Sequence, residues 1–305
     1  MLFRSSLALG VLFTLVAILP TAAATKTVAV KMTALPTLAS GTFFQGKGGE
    51  WFETLVSKRA IYLVGTSEPT TGPTQGEVIA ISPTNGSQLW DLPIPTPFDA
   101  VATAATIDPA GNIWVAGTSA SAVITPTPTP TPTGALNPSG VVVKPTLPVR
   151  SGLTNITVWE ISPAGSLIAS YQYAATQVLS PSLITYVNGS FVLTGADFKV
   201  TMSQTGKFSK FISASFALPK VASTQSFKDG LYIWKSYISK SAIPGVSGWK
   251  PPAQGRVILK VGSRTGNVYS AYKVSDELLK SQFLAGLGVI LTTSNSNGYS
   301  ISLLK

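Results

Sequence analysis

The groups in this sequence that could do chemistry are few. Cysteine and histidine are both absent (Cys 0, His 0). No disulfide, thiolate nucleophile, Ser-His-Asp triad or histidine metal site can therefore exist. What remains is carboxylate, lysine, tyrosine, hydroxyl and backbone chemistry. Glu68 and Asp197 are the carboxylates best placed for it, because each follows an apolar strand segment, Tyr62-Leu63-Val64-Gly65-Thr66 and Val192-Leu193-Thr194-Gly195. Brought together, such acids could do glycosidase-type acid–base work or hold Ca²⁺ through oxygen ligands. No Asp-x-Asp-x-Asp-Gly loop is present, so no metal site and no catalytic residue is assigned. Trp249 falls in a loop between Gly248 and Pro251. It could stack on a sugar, anchor a partner or cap the ring of the propeller. Trp90, Trp114, Trp159 and Trp234 fall in strands and read as core. The candidate ligand-binding residues are thus Trp249, Glu68 and Asp197.

The elements that must position these residues are strands. Gly76 to Trp90 reads as strand, tight turn, strand, with Pro83 to Gly86 as the turn. The pattern returns at Val158–Ile168, Val200–Phe208 and Ile258–Tyr269, and a hairpin that recurs marks a repeat architecture. A second recurring segment, apolar on both faces, appears at Tyr62–Thr66, Trp114–Thr118, Val192–Gly195 and Leu231–Trp234, as a strand sandwiched between neighbouring sheets requires. Five four-strand units follow in order, the last one strand short. Thr27–Thr33 alternates with period two and is left over at the start. The expected fold is all-β: a β-propeller of about five four-stranded blades, the last closed by the N-terminal strand Thr27–Thr33, so that no outer edge stays open. An open two-sheet sandwich is the alternative.

Val123 to Val149 breaks the pattern with Thr125-Pro126-Thr127-Pro128-Thr129-Pro130-Thr131-Pro132. Proline fixes φ and lacks the N–H, so this stretch favours extended polyproline structure. Residues 122–154 are read as a Thr/Pro-rich loop inside a single domain of residues 25–305, with an interdomain linker as the alternative. Residues 1–24 read as a signal peptide: Arg4, the apolar run Leu7 to Leu19, and an Ala-x-Ala exit before Thr25. The expected location is secreted or at the cell surface, with no membrane span after cleavage.

The chain has 305 residues, 45% hydrophobic and 11% charged, with net charge +10. Residues 199–305 carry 14 Lys/Arg and 3 Asp/Glu, whereas residues 25–198 carry 7 and 9. Such asymmetry suits an anionic envelope polymer as partner, or simply solvated lysines at strand edges. No nucleic acid partner is expected. Asn85-Gly86-Ser87, Asn155-Ile156-Thr157 and Asn188-Gly189-Ser190 match a glycosylation pattern but read as turn chemistry.

The stretch Gly76–Trp90 resembles the quinoprotein-type (PQQ-like) propeller repeat through Gly76, Val78, Ala80, Ile81, Gly86, Leu89 and Trp90. Ile107–Thr118 is similar to repeats of bacterial secreted propellers through Asp108, Gly111, Asn112, Ile113, Trp114, Val115, Gly117 and Thr118. The resemblance implies fold and little about activity. No quinone site is marked, and no cofactor is expected. In such a fold the turns between strands one and two and between strands three and four share a face, and here they are short. The other face receives Glu68–Gln75, the proline tract and Ser239–Gln254, and long loops on a rigid scaffold are where binding tends to lie. The function expected is an exported, non-catalytic binding or scaffold propeller for a polysaccharide or protein. The alternative is a carbohydrate-active enzyme using carboxylates alone.

Overall fold

The computed structural model describes residues 29–44, 49–121, 152–218, 224–250, 255–295 and 298–305. The signal-like segment 1–24 and residues 122–151 of the Thr/Pro-rich segment lie outside them. The described residues form strands, with no helix among them. Strands β1 (Val30–Ala34) and β2 (Ala39–Gly41) precede five sheets. The first contains β3 (Gly49–Val56), β4 (Ile61–Ser67), β5 (Gln75–Ile81) and β6 (Gln88–Pro93). The second contains β7 (Ala100–Ile107), β8 (Ile113–Ser119), β9 (Asn155–Ile161) and β10 (Leu167–Ala174). The third contains β11 (Leu183–Val187), β12 (Ser190–Thr194), β13 (Phe198–Ser203) and β14 (Phe208–Ser213). The fourth is built on β15 (Gln225–Asp229), β16 (Tyr232–Ser239), β18 (Gly255–Gly262) and β19 (Val268–Val274), with the two-residue β17 (Val246–Ser247) in the β16–β18 connection. The fifth contains β20 (Glu277–Leu284), β21 (Gly288–Asn295) and β22 (Gly298–Leu304). Four-stranded antiparallel sheets succeeding one another along the chain make a propeller-like all-β fold, not a two-sheet sandwich.

Local chemistry sets the turns. Asn188 and Gly189 both adopt positive φ, 48° and 78°, as a two-residue hairpin turn requires. Asn85 Oδ1 accepts from Ser87 N at 3.2 Å, and Gly86 sits at φ 74°. These two sites are turns, as their sequences indicate. Asn155 is not: it opens β9, is 6% exposed, and donates from Nδ2 to Ser121 Oγ at 2.9 Å. The glycine at the end of each second strand also has a local cause. A Cβ on Gly65 would overlap the Phe44 ring and the Glu50 carbonyl, and one on Gly117 would overlap the Val101 carbonyl.

A second device joins the sheets. The hairpin glycine of one sheet packs against the sheet before it, at Gly165 and Gly206 on an aromatic from that sheet's outer strand. A Cβ on Gly165 would lie 2.6 Å from the Trp90 ring, whose Nε1 donates to Pro163 O at 3.2 Å. Gly206 meets Tyr171 in the same way, and Gly86 meets Leu38 and Ala39. The Gly-x-x-hydrophobic-Trp of the repeat therefore encodes contact with a neighbouring sheet as well as its own hairpin. Gly266 is the exception in this series, with open space where its Cβ would lie.

Apolar clusters follow the same pattern. Tyr62, Val78 and Ala80 pack on Ile113, Val115 and Trp159 between the first and second sheets. Trp114, Ile156 and Val158 pack on Phe191, Leu193 and Met202 between the second and third. Trp234 and Ile258 meet Val289 and Leu291 between the fourth and fifth. Ile290, Tyr299 and Ile301 meet Ile61, Leu63 and Ile79 between the fifth and first. Each fully buried large side chain contributes roughly 1.5–3 kcal/mol. Among the described residues no such cluster joins the third sheet to the fourth. The face of the fourth sheet carrying Val257 and Leu259 is instead covered by its own insertion, through Ile243 and Trp249.

The expectation for the closing strand is corrected. Val30–Ala34, the described part of the alternating N-terminal run, does not complete the fifth sheet. It runs parallel to β19 at the outer edge of the fourth sheet, with Met32 opposite Ala271. The strand that completes the fifth sheet is Ala39–Gly41, antiparallel to β22, with Gly41 opposite Tyr299. Alternation signals a strand but does not choose its edge. Ala39–Gly41 is selected by fit: a Cβ on Gly41 would lie 3.0 Å from the Tyr299 hydroxyl, and Leu38 and Ala39 join the cluster beneath.

Candidate binding cleft

The second sheet is held firmly at its short-turn end. Asp108, 7% exposed, accepts from Asn112 N at 2.9 Å and from the Trp114 indole Nε1 at 3.0 Å. Asn112 Nδ2 reaches Glu160 Oε1 at 3.1 Å, and the Tyr171 hydroxyl donates to Glu160 Oε2 at 3.1 Å. Burial, reinforced by the Glu160 carboxylate, pushes the Tyr171 phenol above its ordinary pKa. These acids are hydrogen-bond acceptors that fix a turn and a strand pair.

At the other end the sheet opens into a cleft of about 500 Å³. Ladder register puts its residues on one face: Ser119 is opposite Asn155, Asn155 opposite Ala174, Thr157 opposite Gln172, and Trp159 opposite Ser170. Pro95, Thr96, Pro97 and Phe98, from the connection between the first two sheets, form the facing wall. The buried floor is polar and satisfied. Ser119 Oγ and Thr157 Oγ1 are 2.7 Å apart. Gln172 Nε2 reaches Ser119 Oγ at 3.4 Å. The outer wall, Ser170, Gln172 and Ala174, is exposed. Among the described residues, none that lines the cleft is charged or titratable.

One residue ties the cleft to the long loops. Asp99 Oδ1 accepts from Thr74 N at 2.8 Å, and the Asp99 carbonyl accepts from Ala120 N at 2.8 Å. The Glu68–Gln75 loop and the end of β8, which leads into the Thr/Pro-rich segment, therefore meet beside the cleft. Strands β8 and β9, on either side of that segment, are paired along their whole length.

Of the residues singled out in the sequence, Glu68 is exposed just beyond β4, on the first sheet. Asp197 is exposed in the turn between β12 and β13, on the third, where its carbonyl accepts from Ala214 N at 3.1 Å. The second sheet stands between them, and neither lines the cleft. Trp249 is 4% exposed and packs with Ile243 and the Val257 and Leu259 side chains. Its ring is part of the core, and its Nε1 has no hydrogen-bond partner. A sugar could stack on it only after the insertion moved. Of the cleft residues, Ser119 and Gln172 carry no motif, and Asn155 and Thr157 stand out in the sequence only as a glycosylation-like pattern read as a turn. The available signal was Ser170, Gln172 and Ala174 at every second position of β10, the last two opposite the polar Thr157 and Asn155.

No protein-family model matches the chain, and no curated protein matches it in sequence. Among solved structures the chain is similar to a protein of unknown function from Bacteroides caccae, with TM-score 0.36, 12% identity, and coverage of 82% of this chain and 73% of that one. It is similar to one from Dyadobacter fermentans, with TM-score 0.36, 11% identity and coverage of 89% and 83%. It is also similar to the dihydro-heme d1 dehydrogenase NirN, with TM-score 0.33, 11% identity, 84% of this chain and 57% of that one. Superposition at these scores does not carry the fold assignment, which rests on the strand pairing above.

Proposed function

We propose that the protein is an exported, non-catalytic β-propeller of five blades that binds a polysaccharide of the cell envelope or extracellular space in the second-sheet cleft. The observation that carries this reading is the cleft's lining. Hydroxyls and amides from Ser119, Thr157, Ser170, Asn155 and Gln172 stand beside the half-buried Phe98 ring, without a charge among the described lining residues. Sugars present the matching chemistry, hydroxyls around apolar ring faces, and bind where few polar groups converge in a largely apolar concavity. A hydrolase would need two carboxylates facing an open site, and the described lining supplies none. The signal-like residues 1–24 support export.

The basic C-terminal half is a weaker guide to the ligand, because part of its charge is used internally. Lys260 lies over the Tyr232 and Trp234 rings, Lys199 over Phe216, and Lys280 Nζ is 2.7 Å from Glu53 Oε1.

Affinity electrophoresis against a panel of neutral and acidic polysaccharides tests the reading. Retardation is expected by a neutral polymer, little changed by salt. Gln172→Ala should weaken it about 2- to 10-fold, the worth of one hydrogen bond of about 0.5–1.5 kcal/mol. Retardation by acidic polymers alone, abolished by salt and indifferent to Gln172, would overturn it.

A further inference from the structure

The seam between the fifth and first sheets contains two carboxyl groups that the cleft does not use. Glu77 on β5 is 1% exposed. Its strand neighbour Ile79 is opposite Asp91 on β6, which puts Glu77 and Asp91 diagonally adjacent on one face. A side-chain hydrogen bond joins them. Asp91 Oδ1 is buried without a partner. Ile79 and Ile81, which continue the Glu77 face of β5, belong to the apolar cluster of Ile61, Leu63, Ile290 and Ile301. The titratable group facing the pair from the fifth sheet is Tyr299, whose phenol is pushed above its ordinary pKa by burial and by the Asp91 charge. Elsewhere in the seam the two sheets meet through the Glu53–Lys280 ion pair and the Thr54–Thr292 hydroxyl contact at 3.1 Å.

Two carboxylates at hydrogen-bond separation in an apolar seam cannot both be ionised cheaply, so the pair holds a proton in common. We propose that this shared proton is a latch on the seam between the first and fifth sheets: protonated, the pair closes the seam, and its full ionisation loosens it.

The placement gives the latch leverage. Apolar clusters link the first, second and third sheets into one arc and the fourth and fifth into a pair, and none among the described residues joins the third to the fourth. The seam holding Glu77 and Asp91 is the cluster that connects the two groups. The segment from β1 to β2 crosses the same region, pairing with β19 and then with β22. Loosening this seam frees β2 and lets the arc and the pair move apart.

The sign follows from burial. Desolvation raises the Asp91 carboxyl above its ordinary value, and the bond to Glu77 offsets this only in part. The folded state therefore binds the proton more tightly than the unfolded chain. The stabilisation is fully present below the ordinary carboxylate range and is lost as pH rises through the raised value of the pair.

Hydrogen exchange of the full chain, corrected for the intrinsic rate, tests this between pH 4 and pH 8. Protection of β2, β5, β6 and β22 is expected to fall by up to about tenfold per pH unit from the ordinary carboxylate range to the raised value of the pair and to level off above it, while β12 and β13 stay level throughout. Glu77→Gln should flatten the dependence and leave protection at pH 8 above that of the parent chain. Asp91→Asn should do the same where Glu77→Gln does not accumulate. Equal pH response in β5 and β12 of the parent chain would overturn the proposal whatever the variants do. So would variants that shift protection by one factor at every pH, which is the signature of a packing role alone.

Discussion

Asp108→Ala should destabilise the second sheet by about 2–4 kcal/mol without touching the cleft. Two bonds are lost. The one from Asn112 N lies at a half-buried turn and is worth about 1 kcal/mol. The one from Trp114 Nε1 is different, because the indole is 1% exposed and packs 4.1 Å from the Phe191 ring centroid. With its acceptor gone the buried N–H is stranded, at about 1–3 kcal/mol. Asp108→Asn keeps one acceptor oxygen but turns an NH₂ toward the other donor, so it should recover only part of the loss. The assay is a double-mutant cycle by urea unfolding with Trp114→Phe, which removes the donor. If the stranded indole dominates, Asp108→Ala in the Phe background should cost only about 1 kcal/mol. An unchanged cost there would refute the reasoning and place the effect in the turn. Polysaccharide retardation should survive all three changes, since the six steps along β8 from Ile113 to Ser119, at ~3.3 Å each, put about 20 Å between the turn and the cleft.

Gly65→Ala should cost several kcal/mol or prevent accumulation, because the added carbon overlaps backbone at Glu50 as well as the Phe44 ring. Phe44→Ala should rescue it only in part, as soluble yield and thermal melting would report. Trp249→Ala should cost about 3–5 kcal/mol as a core truncation. Trp249→Phe should cost far less and leave polysaccharide retardation unchanged, since it also removes an unpaired indole N–H; a phenylalanine variant that folds but no longer binds would return Trp249 to the ligand site.

Much of the local structure was legible in the chain. The Asn-Gly and Asp-x-x-Gly-Asn turns are fixed by sterics within a few residues, so Gly86, Asn188 and Gly111 behave as their neighbours dictate. Of the four segments read as apolar on both faces, those in Ile61–Ser67 and Ile113–Ser119 are buried throughout, as a middle layer demands, whereas Val192 is half-buried and Leu231 is 69% exposed. Asp108 and Trp114, both singled out in the segment Ile107–Thr118, are joined by the indole-to-carboxylate hydrogen bond. Asn155 was misleading, because the same three-residue pattern fits a turn and the start of a strand.

The absence of cysteine and histidine, the two-residue alternation and the punctuation by glycine and proline were decided by the sequence alone, since each depends on covalent geometry or composition. The tertiary structure decided which edge each N-terminal strand joins, that Trp249 is buried while Glu68 and Asp197 stand apart, and that Glu77 and Asp91 share an apolar seam. These outcomes depend on which sheet faces which. That choice is made by burial between residues far apart in the chain, and no local preference of Ala39–Gly41 or Glu77 foretells it.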